Sequence, residues 1–215
     1  MATSAHGLLA IWSTVQDEFE TDYLHWLTRE HVFERVGVPG FLAGCVYRRR
    51  HSAPSEYLIV YTLEDASVMS SAPYIERLDN PTPWTQRVMP HLQQFRRGGG
   101  TMITRAGKVG AFGACLAVAR LDEIPPSLTQ EALDDLAGID RVTQTWVMAV
   151  ASDATSIATR EKSMRKSAEG TFKAVMAVEA LDDAALNLAA YLANELTHEN
   201  SRFDLYDLIF SFGMA

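Results

Sequence analysis

DEFETDYLHWLTREHVFERVGVPGFLAGCVYR, residues 17–48, holds a helix, a tight turn and a strand in one unbroken run. Over 17–36, Phe19, Tyr23, Trp26 and Phe33 recur at helical spacing, while Glu18, Asp22, His25 and Arg29 fall on the opposite side. Val38-Pro39-Gly40-Phe41 then predicts a turn. Residues 41–48 follow as a strand, and 57–63 as the next, both rich in β-branched and aromatic residues. Glu30 and His31 sit where the helix hands over to the sheet, a junction at which a pocket can form. An imidazole placed there needs only a small environmental shift to trade protons near neutral pH.

Working outward, residues 8–15 predict a buried strand before the helix, and 66–78 a second helix with Val68, Ala72 and Ile75 inward. A strand begins at 101–104, after the glycines at 98–100. The order is β-α-β-β-α-β, a ferredoxin-like unit. The second half repeats it with strands at 112–119, 142–151, 172–180 and 205–212 and helices at 128–137 and 183–196. Such internal repetition predicts an α+β chain of two tandem ferredoxin-like repeats, 1–105 and 106–215, forming an intramolecular pseudo-dimeric α/β barrel. Two segments do not repeat. One is an extra helix over 82–97, capped by Thr82 with Pro83 at its first position and kinked at Pro90. The other is a polar insertion over 152–170.

A chain of 215 residues buries a sizeable core, and its formal charge of −8 argues against nucleic acid and acidic membranes as partners. Basic clusters such as Arg48-Arg49-Arg50 and Arg96-Arg97 are short and read as solvated ends. The N-terminus shows no secretory pattern, no apolar run reaches the length of a membrane span, and the two isolated cysteines, Cys45 and Cys115, form neither a zinc motif nor a disulfide framework. The expectation is a cytoplasmic protein with a small-molecule substrate, no metal and no cofactor, with homodimerisation as a further expectation.

The aromatic first helix ending in Glu30-His31, then Pro39-Gly40-Phe41, then a tyrosine-bearing strand before Leu63-Glu64, resembles the dimeric α/β-barrel superfamily, particularly its EthD-like branch. Over the second half the resemblance is one of element order. The superfamily includes cofactor-independent monooxygenases, an isomerase, small decarboxylases and lyases, and haem-binding relatives with two fused repeats. Its usual member is a one-repeat homodimer, so this chain resembles a fused version. His31 matches the family's helix-end histidine. Phe33 stands where a proline often follows it, which implies a longer helix.

Taken on their own, His31 and Glu34 form a general acid/base with an orienting carboxylate three residues on. Glu30 falls at the centre of the apolar face, where a carboxylate needs a partner, a raised pKa or an unwound helix. His91 shares a helix face with Trp84, Val88 and Phe95, and Arg87 lies close enough to clamp a substrate carboxylate. Trp12, Tyr47 and Tyr61 are candidate pocket walls, with Tyr57 on the same strand face as Tyr61. No histidine shows metal-ligand spacing, and no glycine-rich phosphate loop is present. These residues alone amount to an acid/base site; the resemblance implies, as the leading expectation, a cofactor-independent lyase or isomerase acting on an aromatic or lactone-type acid by proton transfer: decarboxylation, isomerisation or elimination. The alternatives are a haem enzyme with His198 or His91 as axial ligand, a cofactor-free monooxygenase, and a non-catalytic ligand-binding module.

Overall fold

The computed structural model describes residues 6–108, 111–151, 158–165, 170–197 and 202–213. In chain order the elements are β1 (Gly7–Val15), α1 (Asp17–Trp26), a π-helical turn (Leu27–His31), α2 (Val32–Val36), β2 (Phe41–Arg49) and β3 (Ser55–Leu63). A 3-10 turn (Ala66–Ser70) leads to α3 (Ala72–Asp79) and α4 (Pro83–Val88). A second 3-10 turn (Met89–His91) leads to β4 (Gln93–Gly107), then β5 (Cys115–Leu121), α5 (Gln130–Ala137) and β6 (Val142–Val150). The chain ends with α6 (Arg160–Ser163), β7 (Ala174–Ala180), α7 (Asp183–Leu196) and β8 (Asp204–Gly213). Hydrogen-bonded neighbours run β1-β3-β2-β8-β5-β7-β6-β4, and β4 returns to β1, so the strand order closes as an eight-stranded barrel in an α+β fold.

Contacts divide the described residues into two units. One holds those up to Thr101, those from Ala151 to Thr171 and those from Ile209 onward; the other holds Met102–Val150 and Phe172–Leu208. In the first unit, β1 pairs with β3 and β4, and β3 with β2, all antiparallel. Side chains alternate across this sheet. Leu9, Val15, Val46, Tyr57, Ile59 and Tyr61 pack with Tyr23, Trp26, Leu27, Val32, Val36 and Tyr74 of the helices. On the other face Trp12, Leu58 and Tyr47 stand side by side in register, also buried. In the second unit, β7 pairs with β5 and β6, and Val147, Met176 and Val178 pack on Leu133 and Leu136 of α5 and Ala189 and Ala193 of α7.

The helix expected over 17–36 forms, but with one turn widened. Buried positions run Tyr23, Trp26, Leu27, His31, Val32, Arg35, Val36, so the step from Trp26 to His31 is five residues, a π step. This re-phases the apolar face. Phe33, expected inward, is half-exposed and meets Phe210 and Phe212 edge-on instead. The helix expected over 82–97 ends at His91. Pro90 lacks the N–H to continue it, and Gln93–Arg97 join the strand β4. The glycines expected as a break lie inside that strand. Gly98, Gly99 and Gly100 pair with Ala10, Leu9 and Leu8, and a Cβ on Gly99 would sit 2.0 Å from the Met69 sulphur. Phe95, expected beside His91 on a helix face, is therefore a buried strand residue.

Candidate functional site

His31 closes the π turn, 3 % exposed, with its ring 4.0 Å from that of Trp26. The neighbouring segment 81–85 holds this turn in place. Thr82 caps α4 by accepting from the Thr85 amide at 3.0 Å, and its hydroxyl donates to Glu30 Oε1 at 2.6 Å. The Trp26 indole donates to Thr85 Oγ1 at 3.1 Å. Glu30, which the regular helix would have buried without a partner, is thus turned to a hydroxyl donor at the protein's edge.

One turn beyond His31, Arg35 is equally buried and donates from Nη2 to Glu161 of α6 in a buried ion pair. Glu161 is delivered by a segment fastened at both ends. Thr159 caps α6, the Arg160 amide donates to Asp79 at 3.0 Å, and the Gly170 amide donates to the Phe95 carbonyl at 3.2 Å. His31, Arg35 and Glu161 line a hollow of about 20 Å³ with Tyr74, Phe95, Arg97, Lys162 and Arg165. A space of that size takes about one water. Arg97 donates to the Tyr74 hydroxyl at 3.1 Å, and the Arg165 guanidinium lies 3.8 Å from the Phe95 ring centroid.

Among the described residues, His31 Nδ1 and Arg35 Nη1 at this hollow, and the Tyr61 hydroxyl outside its lining, are buried with no hydrogen-bond partner. Tyr61 is held against the helix because Gly44 on the neighbouring strand has no side chain; a Cβ there would lie 2.9 Å from the Tyr61 ring and 3.0 Å from Val32. Burial, reinforced by the Arg35 charge, holds the His31 imidazole well below its usual pKa, so it is neutral at neutral pH. Burial pushes the Tyr61 phenol well up, with Arg35 pulling the other way. Burial, the largest influence on Arg35, works against its charge, but Glu161 together with Tyr74, Tyr61 and Glu34 more than offsets it and keeps the guanidinium protonated. The arrangement is a neutral proton acceptor beside a fixed cation and a phenol donor.

Of the residues expected at the site, His31 and Tyr61 lie in this region. Glu34 does not orient His31; it pairs with Arg77 at 3.2 Å, half-buried, its pKa raised by burial. Trp12 and Tyr47 point to the opposite sheet face and do not meet His31. His91, Arg87 and Trp84 form a separate group. His91 stacks on Phe19 at 3.7 Å beside a cleft of about 150 Å³ that shares no lining residue with the His31 hollow. Arg87 is not a free clamp there, since Asp22 already accepts from it at 2.9 and 3.0 Å and from the Trp84 indole at 3.0 Å. Sequence reasoning passed over Arg35, Tyr74, Arg97, Glu161 and Arg165. Arg35 had a signal, standing four residues after His31 on the same helix face. Glu161 had none, lying 126 residues from its partner.

A haem requires an axial ligand facing a large hollow. The clefts at His31 and His91, about 20 and 150 Å³, fall below the roughly 300 Å³ at which drug-sized ligands begin to fit, and a porphyrin is larger still. Neither histidine fits that group. His198, the other candidate axial ligand, lies outside the described residues. Among the described residues no cluster of three or more His, Cys, Asp or Glu side chains could hold a metal ion, and no helix is long and apolar enough to cross a membrane.

No family model matches the chain, and no curated protein matches it. Solved structures do. A candidate monooxygenase from Fusobacterium nucleatum aligns over 100 % of this chain and 97 % of its own, at 11 % identity and TM-score 0.61. An anthrone oxidase-like protein aligns over 99 % and 94 %, at 11 % identity and TM-score 0.57. A candidate chlorite dismutase aligns over 96 % of each chain, at 11 % identity and TM-score 0.57. The chain therefore shares the ferredoxin-like α/β-barrel fold of these proteins. The expectation of a cofactor-free lyase or isomerase is overturned, because the whole-length neighbours are named for monooxygenase, anthrone oxidase-like and chlorite dismutase proteins.

Proposed function

We propose that the chain is a cofactor-independent oxygenase or oxidase that uses His31 as its proton acceptor. The observation that carries this reading is the trio of unpartnered buried atoms, His31 Nδ1, Arg35 Nη1 and the Tyr61 hydroxyl. Leaving such a group unsatisfied costs about 1–3 kcal/mol, so three together in an apolar core are sustained where a ligand completes them. The fold shared with a candidate monooxygenase and an anthrone oxidase-like protein supports oxygen chemistry over other proton-transfer reactions. The two-repeat, pseudo-dimeric organisation and the EthD-like affiliation belong to the same proposal, supported by the repeated element order and by the residues around Glu30-His31.

The chemistry asks little beyond these groups. An acidic C–H or phenolic O–H gives its proton to the neutral His31 imidazole, and the anion left behind is steadied by Arg35. The anion, electron-rich, reduces dioxygen directly. For anthrone as probe, the ring CH2 loses two hydrogens and gains one oxygen as C=O, and the second oxygen atom leaves as water. Oxygen uptake and anthraquinone formation with anthrone, followed in an oxygen electrode, test the reading. Replacement H31A is expected to lower the rate about 10²-fold or more. Uptake that survives H31A, or no uptake with any activated phenol or carbon acid, contradicts it.

A further inference from the structure

The lining of the His31 hollow runs against the charge of the protein. The chain carries a formal −8, yet Arg35, Arg97, Lys162 and Arg165 meet around this one space, with Glu161 as the only acidic side chain in the lining among the described residues. Arg35 is fully buried and uses one arm of its fork on Glu161, while its other nitrogen has no partner. Tyr74, Phe95, Ile11, Met69 and Leu78 supply the rest of the wall, an apolar and aromatic surface. Glu161 already occupies the seat that the guanidinium offers, and the hollow left beside it, about 20 Å³, admits a ring only once that side chain has left. Glu161 reaches that seat from a four-residue helix, held by the Asp79 contact to the Arg160 amide on one side.

We propose that the site takes an aromatic carboxylate, and that Glu161 holds the place of the ligand's carboxylate on Arg35 until the ligand displaces it. The inference rests on the reading of this hollow as the functional site and adds the class of substrate. A carboxylate suits the planar guanidinium fork, which binds it through two parallel N–H donors. Arg97, Lys162 and Arg165 at the partly exposed rim draw in the anion. The ring lies against Tyr74 and the apolar wall, with the Arg165 guanidinium covering Phe95 beside it, which leaves the acidic position of the substrate facing His31. The Glu161 side chain turns away from Arg35 while α6 stays fastened to Asp79, so charge at Arg35 stays balanced as the ligand's carboxylate replaces it.

Titration calorimetry with benzoate on the intact chain tests this without turnover, since benzoate has no acidic C–H to oxidise. Wild type is expected to bind benzoate saturably and benzyl alcohol at least about tenfold more weakly. Replacement E161Q, which keeps the shape and removes the competing charge, is expected to tighten benzoate about tenfold or more. The double variant K162Q/R165Q leaves the Arg35–Glu161 pair intact and is expected to weaken benzoate about tenfold, which keeps the test decisive if E161Q does not fold. Equal binding of benzyl alcohol, no saturable binding, or an affinity unmoved in both variants overturns the proposal. Absence of oxygen uptake with normal benzoate binding would instead contradict only the oxygenase reading.

Discussion

Each of the two units buries a cluster of polar groups, and the two clusters are built in opposite ways. In the second unit, Glu179 is 2 % exposed and its carboxylate is saturated. It accepts from the Gly113 amide at 2.9 Å, from Gln144 Nε2 at 2.9 Å and from the Trp146 indole at 3.3 Å. In the first unit, His31, Arg35 and Tyr61 are as deeply buried, and each keeps an atom with no partner. A saturated cluster explains itself as structure, because every desolvated atom has been compensated inside the fold. An unsaturated one points outward, to something that completes it. On the reading proposed above, that contrast assigns the chemistry to the first unit and a structural pin to the second.

The sharpest way to break the contrast is to empty the saturated cluster. Replacement E179A strands three buried donors and is expected to cost about 3 kcal/mol or more, read from urea unfolding midpoints. Oxygen uptake per folded molecule is expected to remain unchanged. A loss of uptake in E179A that exceeds the loss of folded protein would erase the distinction between the two clusters.

A smaller effect separates them by pH. Unfolded His31 binds a proton near its ordinary value of about 6.5, whereas the folded imidazole, held neutral by burial, does not. The unfolded state therefore binds more protons below that value, and stability falls as pH drops, by about 1.4 kcal/mol per pH unit from this one group. Glu179 acts with the other sign. Burial raises its folded pKa above the ordinary carboxylate value, so its contribution grows as pH falls through that folded value and is lost as pH rises again. Unfolding curves between pH 7 and 5 are expected to flatten in H31Q and to keep the wild-type slope near neutrality in E179Q. The same slope in H31Q as in wild type would show that His31 is not the titrating group.

Much of this arrangement was legible in residues 17–48. The helix, the turn at Val38-Pro39-Gly40-Phe41, the strand behind it and the inward imidazole follow from periodicity and turn chemistry alone. The anomaly at Glu30 was legible too, as a carboxylate where an apolar residue belongs; the π turn and the Thr82 hydroxyl are its physical resolution. What misled was spacing that satisfied two structures at once. Val88, His91 and Phe95 keep helical intervals, yet Gln93–Arg97 gain more by pairing with β1, a contact that no local pattern reveals. The partners of the site were hidden for a similar reason. Glu161 meets Arg35, Arg165 meets Phe95 and Arg97 meets Tyr74 across long stretches of sequence that no local pattern connects, and His91 looked like a companion to His31 because both are histidines near aromatic residues.

The central claim is that the unpartnered imidazole of His31 faces a ligand's seat. Nitrogen-15 NMR of the ring, in protein labelled at histidine, tests this most directly, with His91 as the internal reference. The account expects His31 to carry the neutral-imidazole signature at about pH 6, below its ordinary value, and its ring signals to move on addition of benzoate while those of His91 stay in place. A His31 ring that titrates at the ordinary value and ignores benzoate would contradict the claim.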